Sequence, residues 1–310
     1  MVITVTLNPA MDKTLTIDNF TLGKVNRVTK IRYDIGGKGI NVSKVLRNFG
    51  IDSNCTGFLG GILKDTFEKE LQSNNIKNDF IEVSQNTRTN TKIVDNQNKI
   101  YTDVNEAGPI ITEFELNSLI EKFKSICSEK DIVVLSGGVS PNVPKNIYGT
   151  LTKIAKEKGA FVILDAEGEL LREGIKEKPD IIKPNDHEFE NLLSKRFDSE
   201  NDMIYEAKKL IDYGLDKVLI SLGEKGAIFV TNGEVIYGKG LKVPVKSTVG
   251  AGDSMVAALI YSMINGYNNE ETLKFAIATG GVTVSLEGTQ ACSLEDVKKL
   301  IKNVDIEIRR

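Results

Sequence analysis

Apolar residues recur along this chain with two different periods. Residues 2–7 alternate as a strand does, whereas Val42, Val45, Leu46 and Phe49 share one face of a helix that begins near Gly39 and stops at Gly50. Leu116, Leu119, Ile120 and Phe123 repeat the helical spacing just before the apolar run 132–135. The exchange continues through Ile147, Leu151 and Ile154, then the runs 161–164 and 218–220. Strands separated by helices of this length predict an α/β fold with a mostly parallel sheet flanked by helices.

Two segments break the rhythm. Residues 13–33 are rich in Thr, Val and Ile around a turn at Leu22-Gly23-Lys24, and residues 87–104 alternate around the polar turn Asp95-Asn96-Gln97-Asn98. Neither carries a helix pattern, so both read as antiparallel excursions from the main sheet. They either pair with each other as a small accessory sheet over a cleft or stand as separate edge hairpins. No repeat, low-complexity tract or long linker divides the 310 residues, which favours one elaborated domain over two independent ones.

Charge and rare residues narrow the chemistry. A net charge of −3 from 40 basic and 43 acidic residues argues against a broad nucleic-acid or membrane-binding face, while leaving room for a basic pocket. One histidine, His187, excludes a two-histidine metal site. Cys55, Cys127 and Cys292 form no CxxC, which fits a reducing, cytoplasmic setting better than a disulfide framework. Residues 1–11 do not read as a signal peptide, and no apolar run approaches a membrane span. Chemistry here must rest on carboxylates, lysines and backbone amides.

Four glycine-rich or polar clusters offer such groups. Ser247-Thr248-Val249-Gly250-Ala251-Gly252-Asp253 precedes an apolar helix over 254–265, in which Met255, Ala258, Leu259 and Ser262 share a face beside Val256, Ile260 and Met263. The Gly-Ala-Gly turn would sit at that helix's N-terminus, where free N–H groups attract an anion. Asp253 beside it is suited to take a proton from a hydroxyl, and the pair suits phosphoryl transfer. The plainer reading is that Asp253 caps the helix. No GxxxxGK[ST] loop occurs, so a nucleotide would be gripped in another way.

Gly36-Gly37-Lys38-Gly39-Ile40-Asn41 also precedes a helix, without the GxGxxG spacing of a dinucleotide fold. Its backbone can approach a polyol, with Asn41 on hydroxyls and Lys38 facing a phosphate; taken alone, a helix-starting turn with a solvated lysine is the plainer reading. Lys183-Pro184-Asn185-Asp186-His187-Glu188 places an Asn and a Glu three apart, either to hold hydrated Mg²⁺ or as a capping box, with His187 a bystander. Ser221-Leu222-Gly223-Glu224-Lys225-Gly226 follows a strand at its carboxyl end, the ligand side of an open parallel sheet, or is a simple hairpin turn.

Taken together and in this order, the clusters resemble the PfkB (ribokinase-like) carbohydrate kinases. The likeness includes Thr6-Leu7-Asn8-Pro9-Ala10-Met11-Asp12 and Ser136-Gly137 and runs nearly end to end. The opening Leu-Asn-Pro and the run from Ser247 to Met255 are most similar to the family's phosphosugar-kinase branch. The resemblance implies a ribokinase-like fold of one domain, 1–310, with a β lid from about 12–35 and 87–106 that also forms a homodimer interface. It implies transfer of phosphate from ATP to a ketohexose phosphate, fructose 1-phosphate first, with tagatose 6-phosphate and fructose 6-phosphate as alternatives.

It also implies roles. Asp253 would be the base, with the amides of Gly250, Ala251 and Gly252 stabilising the phosphoryl group. Asp12, Gly37, Asn41 and Ser136 match sugar contacts, and Lys24, Arg27, Lys38 and Arg88 would meet the sugar's own phosphate. Lys183, Asn185, Ser221, Gly223 and Gly226 match the ATP side, and Glu188 would help hold Mg²⁺ through water. Ser247-Thr248 departs from the more common Asp-Thr, and 138–141 departs from the usual sugar-contact sequence. Residues 281–292 match loosely, so a monovalent cation stays open. A sensor that keeps the fold without turnover is the non-catalytic alternative; an NAD-dependent oxidoreductase lacks its motif.

Overall fold

The computed structural model describes residues 1–309. Its large sheet contains β1 (Val2–Thr6), β4 (Ser53–Gly60), β5 (Lys77–Asn78), β6 (Ile81–Val83), β9 (Ile132–Ser136) and β10 (Phe161–Asp165). β11 (Ile181–Ile182), β12 (Lys217–Ser221), β13 (Gly226–Thr231), β14 (Val235–Lys239) and β15 (Ile306–Arg309) complete it. The order is β15-β14-β13-β12-β11-β10-β9-β1-β4-β5, with β6 also on β4. Pairing is parallel from β12 through β5 and antiparallel from β12 out to β15.

Ten helices cover both faces: α1 (Lys38–Asn48), α2 (Lys64–Ser73), α3 (Glu113–Ile126), α4 (Ile147–Glu157), α5 (Gly168–Ile175), α6 (Asp186–Leu193), α7 (Glu200–Tyr213), α8 (Ala251–Ile264), α9 (Asn269–Val284) and α10 (Leu294–Leu300). The period-2 geometry of a strand divides the core in two. Ile3, Val5, Val133 and Leu135 face one cluster with α3 to α7, while Val2 and Val134 face the other with α1, α8, α9 and α10. β1 is therefore buried at every position instead of alternating in and out. α8 is apolar nearly all round because α1 and α9 pack beside it under the sheet, and Asp253 through Ser262 are buried. Edge-on and stacked rings of Phe49, Tyr261, Tyr267 and Phe275 lock that corner.

The two excursions find each other. β2 (Ala10–Ile17) and β3 (Val28–Gly36) form one hairpin, and β7 (Arg88–Asp95) and β8 (Ile100–Asn105) form another. Parallel pairing of β2 with β7 joins them into a separate four-stranded sheet, so they are not isolated edge hairpins. Its two faces differ in chemistry. The rows Asp34/Asp12/Asn90/Asn105 and Arg32/Thr14/Lys92/Asp103 line the cleft toward the large sheet. The alternate residues include Ile31, Tyr33 and Val104, which are 51%, 58% and 55% exposed, so the apolar side faces solvent.

Among the described residues, no helix is long and apolar enough to cross a membrane. Gly226, which the resemblance assigns to the ATP side, has a structural task in the sheet. Its φ is 114°, and a Cβ would lie 2.0 Å from the Gly238 carbonyl oxygen on β14. Gly226→Ala combines a disfavoured backbone angle with a backbone clash, and should cost about 2–4 kcal/mol. Urea denaturation would check it; an unchanged midpoint would contradict the close approach.

Candidate active site

Two helix N-termini meet beside the carboxyl ends of the parallel strands. α1 starts after Gly37, whose φ of 133° and close approach to Thr6 both require glycine. α8 starts after Gly250, and no side chain caps either helix. Asn41 Nδ2 donates to Asp253 Oδ2 at 2.8 Å, joining the two helices through a buried hydrogen bond. Asp253 therefore reaches across to α1 instead of capping its own helix. The Ala251 N–H is used on the Thr248 carbonyl at 3.4 Å, whereas those of Gly250, Gly252 and Asp253 find no acceptor among the described residues. Three amides and a carboxylate thus converge.

They open on a cavity of about 470 Å³. Its floor includes the last residues of four parallel strands: Thr6 of β1, Ser136 of β9, Asp165 of β10 and Ser221 of β12. Lys183, Asn185 and Glu188 complete that wall, and Asp12, Arg88 and Asn90 descend from the small sheet. Seven buried polar atoms here lack a partner among the described residues: Thr6 Oγ1, Asn8 Oδ1, Asn41 Oδ1, Arg88 Nε, Asn90 Oδ1, Ser136 Oγ and Asp165 Oδ2. An unpaired buried group costs roughly 1–3 kcal/mol, so such a cluster reads as a socket for a hydroxyl-rich ligand.

Asp165 organises the charges. Its Oδ1 lies 3.3 Å from both Lys38 Nζ and Lys183 Nζ, and Lys38 also stands 3.9 Å from Glu188 Oε1. Burial opposes the Asp165 charge, but Lys183 and Lys38 outweigh it and hold the carboxyl below its ordinary range. Burial likewise opposes the Lys38 charge, yet Asp165, Asp253 and Glu188 leave its pKa raised. Asp253 experiences the reverse balance. Burial first, and repulsion from Asp165 second, push it up to about 6 against Lys38, the Asn41 hydrogen bond and Lys183. Such a carboxylate is ionised at neutral pH and is a better base than an exposed one.

The sequence-predicted residues Asp12, Gly37, Lys38, Asn41, Arg88, Ser136, Lys183, Asn185, Glu188, Ser221, Gly250, Gly252 and Asp253 all line this cavity. Others do not. Lys24 and Arg27 are exposed in the β2–β3 turn, off the cavity wall. β2 lines the cavity as far as Asp12, and the rest of the strand carries the turn roughly 17 Å further away. Gly223 and Gly226 are also off the wall, because they shape the turn into β13. Ala251 lies between two lining glycines with its amide already used. Lys38 turns toward Asp165 and Glu188 and away from the role of a partner to Arg88.

The capping-box reading of Asn185 and Glu188 is realised. Asn185 Oδ1 accepts from the Glu188 N–H at 2.7 Å, and Glu188 Oε2 accepts from the Asn185 N–H at 2.8 Å. Arg88 donates Nη1 to the Glu106 carbonyl and Nη2 to that of Asn8, at 3.0 and 3.1 Å, which leaves Nε for a ligand. Asp165, Asn90 and Thr6 were missed by motif reading. Asp165 had a signal: it ends the apolar run 161–164, where a parallel strand meets the ligand edge. Among the described residues no three His, Cys, Asp or Glu side chains form a metal cage. The unpartnered Asp165 Oδ2 and the Glu188 Oε1 facing the cavity fit an ion held mainly by phosphates and water.

This arrangement has close parallels. The pfkB family carbohydrate kinase profile matches residues 5–296. A 1-phosphofructokinase from Borreliella burgdorferi is 35% identical over 308 residues, covering 99% of this chain and 98% of that protein. A tagatose-6-phosphate kinase from Staphylococcus epidermidis is 31% identical over 313 aligned positions, covering 99% of each. The crystal structure of phosphofructokinase-2 from Escherichia coli in complex with potassium superposes with a TM-score of 0.92 at 27% identity, over 97% of this chain and 98% of that one.

The raised Asp253 pKa has a consequence for stability. An acid moved from 3.8 to about 6 holds its proton more tightly folded than unfolded. The folded state is thus unpenalised below about pH 4 and progressively penalised as pH rises through 6. Asp253→Asn should be more stable than the parent by about 1–3 kcal/mol at pH 8, with the difference shrinking toward pH 4. Chemical denaturation at both pH values would read this, and a variant less stable at pH 8 would contradict it.

Proposed function

The chain belongs to the pfkB family of carbohydrate kinases, and we propose that this ATP-dependent phosphosugar kinase phosphorylates the 6-hydroxyl of fructose 1-phosphate to give fructose 1,6-bisphosphate. The observation that carries the chemistry is the buried Asn41–Asp253 pair, which aims a carboxylate into a socket of unpaired polar atoms beside free amides. Asp253 takes the hydroxyl proton, and the oxygen attacks the γ-phosphorus in line. Electrons of the breaking bond pass to the β-phosphate oxygen of ADP. The amides of Gly250 and Gly252 meet charge that develops during transfer. Asp12, Asn41, Asn90 and Ser136 orient the sugar, and Arg88 Nε faces its standing phosphate.

The carboxylates that would hold a hydrated Mg²⁺ are Asp165 and Glu188, and the ion's contribution there is to neutralise nucleotide phosphates. Likeness to the 1-phosphofructokinases supports fructose 1-phosphate. The tagatose-6-phosphate kinase match over the same span supports a second reading, tagatose 6-phosphate. The small sheet's solvent-facing Ile31, Tyr33 and Val104 support a homodimer formed lid to lid, since a contiguous apolar sheet face favours burial against a second copy. Three free, buried cysteines support a cytoplasmic setting.

Three measurements test these assignments. Side-by-side kcat/KM values should rank fructose 1-phosphate above tagatose 6-phosphate and fructose 6-phosphate; a higher value for tagatose 6-phosphate favours the second reading. Asp253→Asn should lower kcat by about 10²–10⁴-fold while ATP still binds, and parent kcat/KM should fall with unit slope below about pH 6. Retained turnover would remove Asp253 as the base. Tyr33→Lys should shift the particle toward half its mass in light scattering; an unchanged dimer would place the interface elsewhere.

A further inference from the structure

A tyrosine that the chemistry above does not use lies behind the cavity wall. Tyr148, in the first turn of α4, is fully buried in the apolar cluster that holds Leu135, Leu151 and Leu164. Its hydroxyl is the polar exception in that setting, and it donates to the carbonyl oxygens of Ser136 and Gly137, at 2.9 and 3.0 Å. One phenolic hydrogen serves both only by pointing between them, which fixes the two carbonyls relative to each other. Burial raises the Tyr148 pKa, so the group stays a donor. Those carbonyls belong to the turn where β9 ends. Ser136, Gly137 and Gly138 all line the cavity, and Ser136 Oγ is one of its unpaired buried atoms. Two successive glycines give this stretch backbone freedom, and Gly137 uses it at a φ of 92°. The Gly137 N–H ties the turn to β10 through the Asp165 carbonyl at 3.0 Å, and Tyr148 ties it to α4. A phenylalanine would fill the same space without the second tie.

We infer that Tyr148 is a positioning residue for the sugar: by holding the Ser136–Gly137 turn, it sets where Ser136 Oγ and the glycine backbone meet substrate hydroxyls. This rests on the kinase reading above. Tyr148 does not itself line the cavity, and no proton leaves it. Its contribution is preorganisation. A turn ordered before the ligand arrives loses less conformational freedom on binding, and its polar atoms already point at their partners. The effect falls on the sugar and spares the nucleotide, because Lys183, Asn185 and Ser221 reach the cavity from the ends of β11 and β12.

Parent turnover of fructose 1-phosphate is measured first, since its absence overturns the kinase reading on which the role rests. In Tyr148→Phe the dissociation constant for fructose 1-phosphate, taken without nucleotide, should rise about 5–30-fold, while that for ATP stays within about twofold. Ser136→Ala should weaken sugar binding likewise. The double variant should bind within about twofold of the weaker single one, because the tyrosine acts through that turn. A merely structural role gives the opposite: multiplied effects and a loss of ATP affinity as well. Replacing Tyr148 by 4-aminophenylalanine supplies two N–H groups for the two carbonyls, and keeps the experiment decisive should the phenylalanine variant fail to fold. Sugar affinity there should lie within about threefold of the parent. With a parent that turns over, unchanged sugar binding in Tyr148→Phe or Ser136→Ala, multiplied effects in the double variant, or weak sugar binding with 4-aminophenylalanine would overturn the Tyr148 role alone.

Discussion

Two carboxylates buried in one pocket repel each other, and much of this site is arranged to contain that repulsion. Asp165 and Asp253 share Lys38 and Lys183, but unequally: Asp165 touches both lysines, while Asp253 is held by an amide from Asn41. The inequality separates their proton affinities, one lowered and the other raised. One becomes a fixed anchor for cations and the other a base that can accept and release a proton. Neither property belongs to aspartate as such; both come from which neighbours the strand ends and helix starts supply.

The small sheet meets a related constraint in a different way. A four-stranded sheet with one polar face over a cleft has no core of its own to bury the other face. Its alternation is inverted relative to an ordinary surface sheet, with Asp12, Asn90 and Arg32 turned inward and Ile31, Tyr33 and Val104 outward. Hydrogen bonds from Asn8 to the Ala107 carbonyl and from Arg88 to the Asn8 carbonyl tie its base to the end of β1. The same strands that line the cleft with polar side chains therefore also present apolar ones to solvent.

Much of this was legible in the sequence because its signals are local. Helix spacing around Val42 and Val45, the runs 132–135 and 161–164, and the glycines preceding α1 and α8 report on elements whose periodicity is set by their own backbone. The parallel β2–β7 pairing was only one of two open readings, since it depends on strands far apart in the chain. Asp165 was missed because its meaning comes from Lys38 and Lys183, which no spacing rule connects to it. Lys24, Arg27, Gly223 and Gly226 carried motif-level expectations, and the chain path places all four off the wall of the main cavity. Motifs identified segments that meet at one cavity, and geometry decided which residues of each segment line it.

The hydrogen bond between Asn41 and Asp253 spans 212 residues of chain. A ribosome that has released the first two-thirds of the polypeptide has supplied Asp12, Asn41, Arg88, Ser136, Asp165 and Glu188, yet not Asp253 or the amides of Gly250 and Gly252. The partner of Asn41 arrives late in synthesis, on the helix that packs against α1 and then receives α9 to complete the core. Closure of the cavity in this architecture is thus a report of completed folding: the contact that joins its two helix starts is also among the longest loops the chain has to close.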